Sequence, residues 1–188
     1  MNETQECFEI IKIYEPYLYS VKYEGEELSE FDRLFQTWGD VTYVSDFMEA
    51  NKSLLESPVW ERTHEPEEAA RQVLKEAYEL EEYFHELCEN AETGMTPDLD
   101  SHFHFLNGKY KYVCEWIPMK SYGTIFPSFL RIYAIKLKEN VYIITGGGIK
   151  LSKDIQSSPD IKDHVIKNID RVRRFLVASD IIDDDDMK

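Results

Sequence analysis

Phe129-Leu130-Arg131-Ile132-Tyr133-Ala134-Ile135-Lys136-Leu137 and Val141-Tyr142-Ile143-Ile144-Thr145, parted by a turn at Glu139-Asn140, decide the fold of this chain. Both runs are rich in β-branched and aromatic residues and are short enough to be strands. They read as a β-hairpin at the centre of a sheet. Gly146-Gly147-Gly148 continue the second run into Ile149-Lys150. The GxxxxGK[ST] spacing of a phosphate loop is absent, no helix follows directly, and the run is no dinucleotide fingerprint. Two readings stay open. One is a bulge that turns the strand out of the sheet. The other is close backbone approach to an anion, with Lys150 and Lys153 just beyond.

Working outward, His102-Phe103-His104-Phe105 reads as a strand, Asn107-Gly108 as a hairpin turn, and Tyr110 to Trp116 as its partner strand. A loop with Pro118, Gly123 and Pro127 then leads to the central hairpin. On the other side, Ser158-Pro159-Asp160 has the chemistry of a helix start. Ile161, Val165, Ile169, Val172, Phe175 and Leu176 give that last helix its buried face. Residues 180–188, with Asp183 to Asp186 in a row, read as a disordered acidic tail.

The N-terminal part carries two more strands. Phe8 to Tyr14 and the alternating Tyr17 to Tyr23 are separated by Glu15-Pro16 and closed by Glu24-Gly25-Glu26, which suggests a hairpin. Ser29 is a candidate N-cap for a helix bearing Phe31, Leu34, Phe35 and Trp38 on one face and ending at Gly39. A second helix runs from Val44 through Asn51 to Leu55 and stops before Pro58. The clearest helix spans residues 66–92, with Ala70, Val73, Leu74, Ala77, Leu80, Phe84, Leu87 and Ala91 as an apolar stripe among glutamates. Pro66 suits its first turn and Gly94 its stop. Together these elements predict an α+β fold: a mostly antiparallel sheet flanked by helices. Residues 1–179 form one domain, mainly helical over 28–92, mainly sheet over 101–150, with a C-terminal helix over 158–178.

At 188 residues and 43% hydrophobic content, the chain is long enough to build a self-sufficient core. No apolar run approaches the roughly 18–20 residues of a membrane span. Met1 to Glu9 is acidic rather than basic and apolar, so no signal peptide is expected. Cys7, Cys88 and Cys114 are widely spaced and odd in number, which fits reduced, mostly buried thiols in the cytoplasm. Net charge is −16, which alone argues against nucleic-acid binding. The charge is polarised, however. Residues 1–100 hold 7 Lys and Arg against 26 Asp and Glu, a balance of −19, while residues 101–179 hold 13 against 6, a balance of +7. Such a chain either offers different faces to an anionic and a basic partner or is solvated on both.

Candidate chemistry is sparse. His102 and His104 share one face of their predicted strand, and Glu115 would lie on the paired strand. A metal pair or acid/base set is one reading and surface histidines on an edge strand the other, since no third ligand has characteristic spacing. Neither CxxC, GxSxG nor HExxH occurs. The C-terminal half interleaves Arg131, Lys136, Lys138, Lys150, Lys153, Lys167, Arg171, Arg173 and Arg174 with Tyr110, Tyr112, Tyr133 and Tyr142. Basic side chains among aromatics are the footprint of RNA contacts. Lys136, Lys138, Lys153, Arg171 and Arg174 are therefore the candidate RNA-binding residues. The competing reading is a solvated face over core tyrosines.

The segments Pro16 to Tyr23, Glu30 to Leu34, Phe129 to Lys136 and Ile144 to Lys150, in this order, resemble the RelE/ParE-like toxins of type II toxin–antitoxin systems. The resemblance is in particular to a larger variant encoded beside a helix-turn-helix antitoxin. It covers the sheet and its helices, and the acidic helix 66–92 is extra. The resemblance implies an antitoxin partner and cleavage of mRNA on the ribosome without a metal or other cofactor. In such cleavage the 2′-hydroxyl attacks its own phosphate, so the enzyme moves protons and stabilises charge. By position, Arg131 and Lys150 would stabilise charge, and Tyr133 or His104 would handle protons. The chain departs from the family in its acidity, its length and the lack of a dense basic C-terminus. The alternative is a non-catalytic protein-interaction module on the same fold.

Overall fold

The computed structural model describes residues 8–60, 63, 65–106, 116–155 and 157–181. Six strands form one sheet: β1 (Phe8–Tyr14), β2 (Leu18–Tyr23), β3 (His104–Phe105), β4 (Ile117–Tyr122), β5 (Leu130–Lys138) and β6 (Val141–Ile149). Their order is β1-β2-β6-β5-β4-β3. β2 runs parallel to β6, and every other neighbouring pair is antiparallel. The expected α+β architecture, with a mostly antiparallel sheet flanked by helices, is therefore present. The hairpin β5–β6 stands at its centre, and β1–β2 form the N-terminal hairpin.

One face of the sheet is covered by α1 (Glu30–Gly39), α2 (Val41–Ala50) and α4 (Pro66–Thr93). Leu18, Leu130, Ile132, Ala134 and Ile144 meet Phe31, Leu34, Trp38, Val73, Leu80 and Phe84 there in the largest core cluster. The opposite face takes α6 (Val165–Ala178), whose Val172 and Leu176 pack on Tyr19, Ile135, Leu137 and Ile143. Alternation along β5 sorts its side chains between the two layers. Ser29 caps α1 by accepting the Asp32 amide at 3.2 Å. Asp40 caps α2 through the Thr42 and Tyr43 amides. Gly94, with φ +70°, ends α4 by donating its amide to Asn90, a left-handed stop that favours glycine.

Several expected boundaries move. The helix expected to run from Val44 to Leu55 breaks at Asn51 into α2 and the short α3 (Lys52–Leu55), and a 3₁₀ turn at Pro58–Trp60 follows. His102 is not in a strand: Leu99–His102 form α5, started by a reciprocal capping box between Asp98 and Ser101. β3 keeps only His104 and Phe105. The stretch read as a loop around Pro118 contains β4. The final helix starts at Val165 rather than near Ser158, because residues 159–164 form turns. The expected Asn107-Gly108 turn, the strand from Tyr110, and the acidic tail beyond Ile181 lie outside the described residues.

The glycine run carries a bulge and is closely packed on both faces. Thr145 is skipped where Tyr133 pairs with Gly146 and Ala134 with Ile144, so a bulge interrupts β6. A Cβ on Gly147 would stand 2.5 Å from the Arg131 carbonyl oxygen and 2.8 Å from Leu34. One on Gly148 would strike Ile161 and lie 2.7 Å from Asp160. Glycine here lets α1 close on one face and the 158–161 turn on the other.

Candidate anion-binding site

The strand register gathers chemistry on the α6 face of the sheet, beside the N-terminal end of that helix. His104 opposes Lys120, and Lys120 opposes Tyr133. In the next row Tyr122 opposes Arg131, and Arg131 opposes Gly148. Opposed residues in an antiparallel pair share a face. His104, Lys120, Tyr122, Arg131 and Tyr133 therefore stand together, although they come from three strands.

Four of these groups and the loops around them enclose a cavity of about 450 Å³. Lys120, Tyr122, Arg131 and Tyr133 form its floor. Lys150, Lys153 and Asp154 come from the loop after β6. Trp60, Phe126 and Pro127 supply apolar walls. Four cations thus face one carboxylate. Lys150 is held below the ordinary lysine range by burial first, then by Arg131 and Lys120. Burial likewise lowers Arg131. A cavity that penalises its own cations is one in which an anion is favoured.

The cations are oriented by neutral oxygens. Arg131 Nη1 donates to the carbonyls of Ser128 (3.0 Å) and Leu130 (2.6 Å), and its guanidinium lies 4.2 Å from the centre of the Tyr122 ring. Lys150 Nζ donates to the carbonyls of Ser152 (2.9 Å) and Lys153 (2.6 Å). Carbonyls and π faces fix a cation without cancelling its charge. Tyr133 is 1% exposed, packed by Ile161, Val165 and Ile169, and burial pushes its hydroxyl up to about 12. At neutral pH it is a proton donor, not a base. His104 is exposed, its ring 5.7 Å from that of Tyr122.

The structure thus brings together Arg131, Tyr133, Lys150 and Lys153, with His104 on the same face. It does not bring the remaining expected RNA contacts there. Lys136 lies on the opposite face, where its Nζ meets Asp100 at 2.7 Å. Lys138 stands exposed at the end of β5. Arg171 lies over the rings of Phe8 and Tyr23. Arg174 donates to the Asp170 carbonyl at 3.2 Å and, with Lys167 and Arg173, lines a separate open depression along α6. The suggested His102–His104 pair is also parted. His102 sits among the rings of Tyr83, Phe84 and Phe103, and Glu115 is outside the described residues. Among the described residues no three His, Cys, Asp or Glu side chains group as metal ligands, and no helix is long and apolar enough to cross a membrane. Cys88 is buried, its thiol raised to about 12 by burial, which makes it inert.

Lys120, Tyr122 and Phe126 are functional candidates the sequence reading passed over. Pro118 and Gly123 bracket Lys120 and Tyr122 and hid a short strand. Met119-Lys120-Ser121-Tyr122 do not alternate apolar with polar residues, and only their burial in the fold, Met119 and Ser121 against Lys120 and Tyr122, reveals the strand. The site defines a sheet protein with a cationic, ring-lined cavity. Comparison with family models, curated proteins and solved structures finds no match for this chain.

Proposed function

We propose that this chain is an RNA-directed toxin of a toxin–antitoxin pair, cleaving mRNA at the cavity between β4, β5 and the loop after β6. The observation that carries the reading is the convergence of Lys120, Arg131 and Lys150 on one cavity beside Tyr122 and Tyr133. An RNA phosphate and its neighbouring base need that combination of charge and ring. Arg131 and Lys150 would take up the charge that grows on the phosphorane when the 2′-hydroxyl attacks. His104, on the same face, would take the proton of the attacking 2′-hydroxyl, and Tyr133, kept protonated by burial, would give its own to the leaving 5′-oxygen and recover one from water afterwards. A helix-turn-helix antitoxin would mask this surface.

The test is induction of the gene in a bacterial host, with and without its neighbouring gene. Growth arrest relieved by the neighbour is expected, and Arg131→Ala with Lys150→Ala should abolish the arrest while the fold is retained. Full toxicity in that double variant would sink the assignment. A second reading, a non-catalytic binding module, is favoured by one observation. Arg131 Nη1 and Lys150 Nζ are fixed on carbonyls, a rigid arrangement that suits holding an anion more than transforming it. Unimpaired growth together with anion binding by the purified protein would select it.

A further inference from the structure

We propose that Phe126 is a ligand contact: its ring stacks on a base of an RNA strand whose phosphate sits on Arg131 and Lys150, and a polar stripe of α4 holds it in position. The proposal rests on the cavity reading given above.

Phe126 lines the cavity and is 92% exposed. A single exposed aromatic is ordinary on a protein surface. What distinguishes this one is that its loop is fastened on both sides. Before it, Thr124 Oγ1 donates to Glu79 at 2.8 Å. After it, Gln72 Nε2 donates to the Pro127 carbonyl at 2.8 Å, and Ser128 Oγ donates to Glu76 at 2.7 Å. Gln72, Glu76 and Glu79 fall at i, i+4 and i+7 of α4, one stripe of that helix. The ring is therefore presented to water by a braced loop, not left there by a slack one.

Glu76 is the centre of the brace. It is wholly buried, and burial raises its pKa against the opposing bonds from Gln72 and Ser128. Gly123 lets the loop close over it, since a Cβ there would strike the Glu76 carboxylate and lie 2.6 Å from Ser128 Oγ. The same Ser128 offers its carbonyl to Arg131. One anchor thus sets both the cation and the ring.

The other rings of the cavity are already engaged. Trp60 is stacked on Phe129 at 4.1 Å, Tyr122 carries Arg131, and Tyr133 is buried. Phe126 keeps an open face beside the cationic floor. That pairing selects a ligand with a planar ring next to a phosphate, and base–ring stacking tolerates any base.

The experiment compares binding of a six-nucleotide single-stranded RNA with binding of inorganic pyrophosphate by the full chain. Phe126→Ala should weaken RNA binding about tenfold and leave pyrophosphate unchanged. Phe126→Trp should restore the RNA affinity. Thr124→Val, at an exposed bond, should weaken RNA binding a few-fold in the parent and have no further effect in Phe126→Ala. Unchanged RNA affinity in Phe126→Ala overturns the contact, as does equal loss of both ligands. A Thr124→Val that is silent in the parent, or that acts fully in Phe126→Ala, overturns the positioning role. A parent protein that binds neither ligand overturns the cavity reading itself, and this proposal with it.

Discussion

Arg131 and Tyr122 face one another across β4 and β5, with the guanidinium carbon 4.2 Å from the centre of the tyrosine ring. The ring's negative face holds the cation sideways while leaving its charge available to an incoming anion. Tyr122→Leu keeps the apolar bulk and removes that face. It should weaken pyrophosphate binding by a factor of about 2–5, corresponding to the roughly 0.5–1 kcal/mol of such contacts, whereas Tyr122→Phe should bind normally. Titration calorimetry of the three proteins checks this. Normal binding by Tyr122→Leu would mean that the carbonyls of Ser128 and Leu130 suffice to orient Arg131.

Lys136 and Lys153 should behave differently although both were expected to touch RNA. Lys136 is paired with Asp100, which also accepts the Tyr142 hydroxyl at 2.7 Å, on the face away from the cavity. Lys136→Ala should therefore leave RNA binding unchanged and cost about 1 kcal/mol of stability. Lys153→Ala should weaken RNA binding and reduce the slope of log affinity against log salt by about 0.7. A salt titration of both variants distinguishes them.

Gly147→Ala tests whether the glycine run is structural. The added methyl would press on the Arg131 carbonyl at 2.5 Å and on Leu34 at 2.8 Å. Backbone cannot move aside as a flexible side chain can, so α1 and β5 must separate. A loss of about 1–3 kcal/mol in urea unfolding is expected. A variant of parental stability would mean that the sheet and α1 accommodate the methyl freely.

Much of this architecture was legible in residue patterns. The stripe of α4 and the apolar runs of β5 and β6 each state their period and ends without help from distant contacts. The parity of β5 was legible too: Arg131 and Tyr133 differ by two and share a face, while Lys136 differs from Arg131 by five and cannot. What pattern could not supply is register, which is a long-range property. Nothing local pairs Lys120 with Tyr133, or brings Lys150 beside Arg131. β4 was hidden because Pro118 interrupts its signal, and α5 because the Asp98–Ser101 capping box resembles a turn. Glu76 was lost among the glutamates of α4, where only burial separates it from its neighbours.

His102 makes stability depend on pH in a window that can be named. Its ring packs against Tyr83, Phe84 and Phe103, its Nε2 has no hydrogen-bond partner among the described residues, and burial, aided by His104, lowers its pKa to about 4 from 6.5. Between those values the unfolded chain binds a proton that the folded chain refuses. Stability therefore falls as pH drops from 6.5 to 4, by on the order of 3 kcal/mol, and this contribution is constant outside the window. Glu76 and Asp160 act in the opposite sense, because burial raises both carboxyls and their ionisation at higher pH weakens the fold. The difference between the parent and His102→Phe isolates the histidine. Phenylalanine fills the same ring cluster without titrating, so unfolding free energies measured from pH 7 to pH 4 should decline less steeply in the variant. Parallel curves would show that the imidazole becomes protonated inside the fold at little cost, with the neighbouring rings opening to admit water.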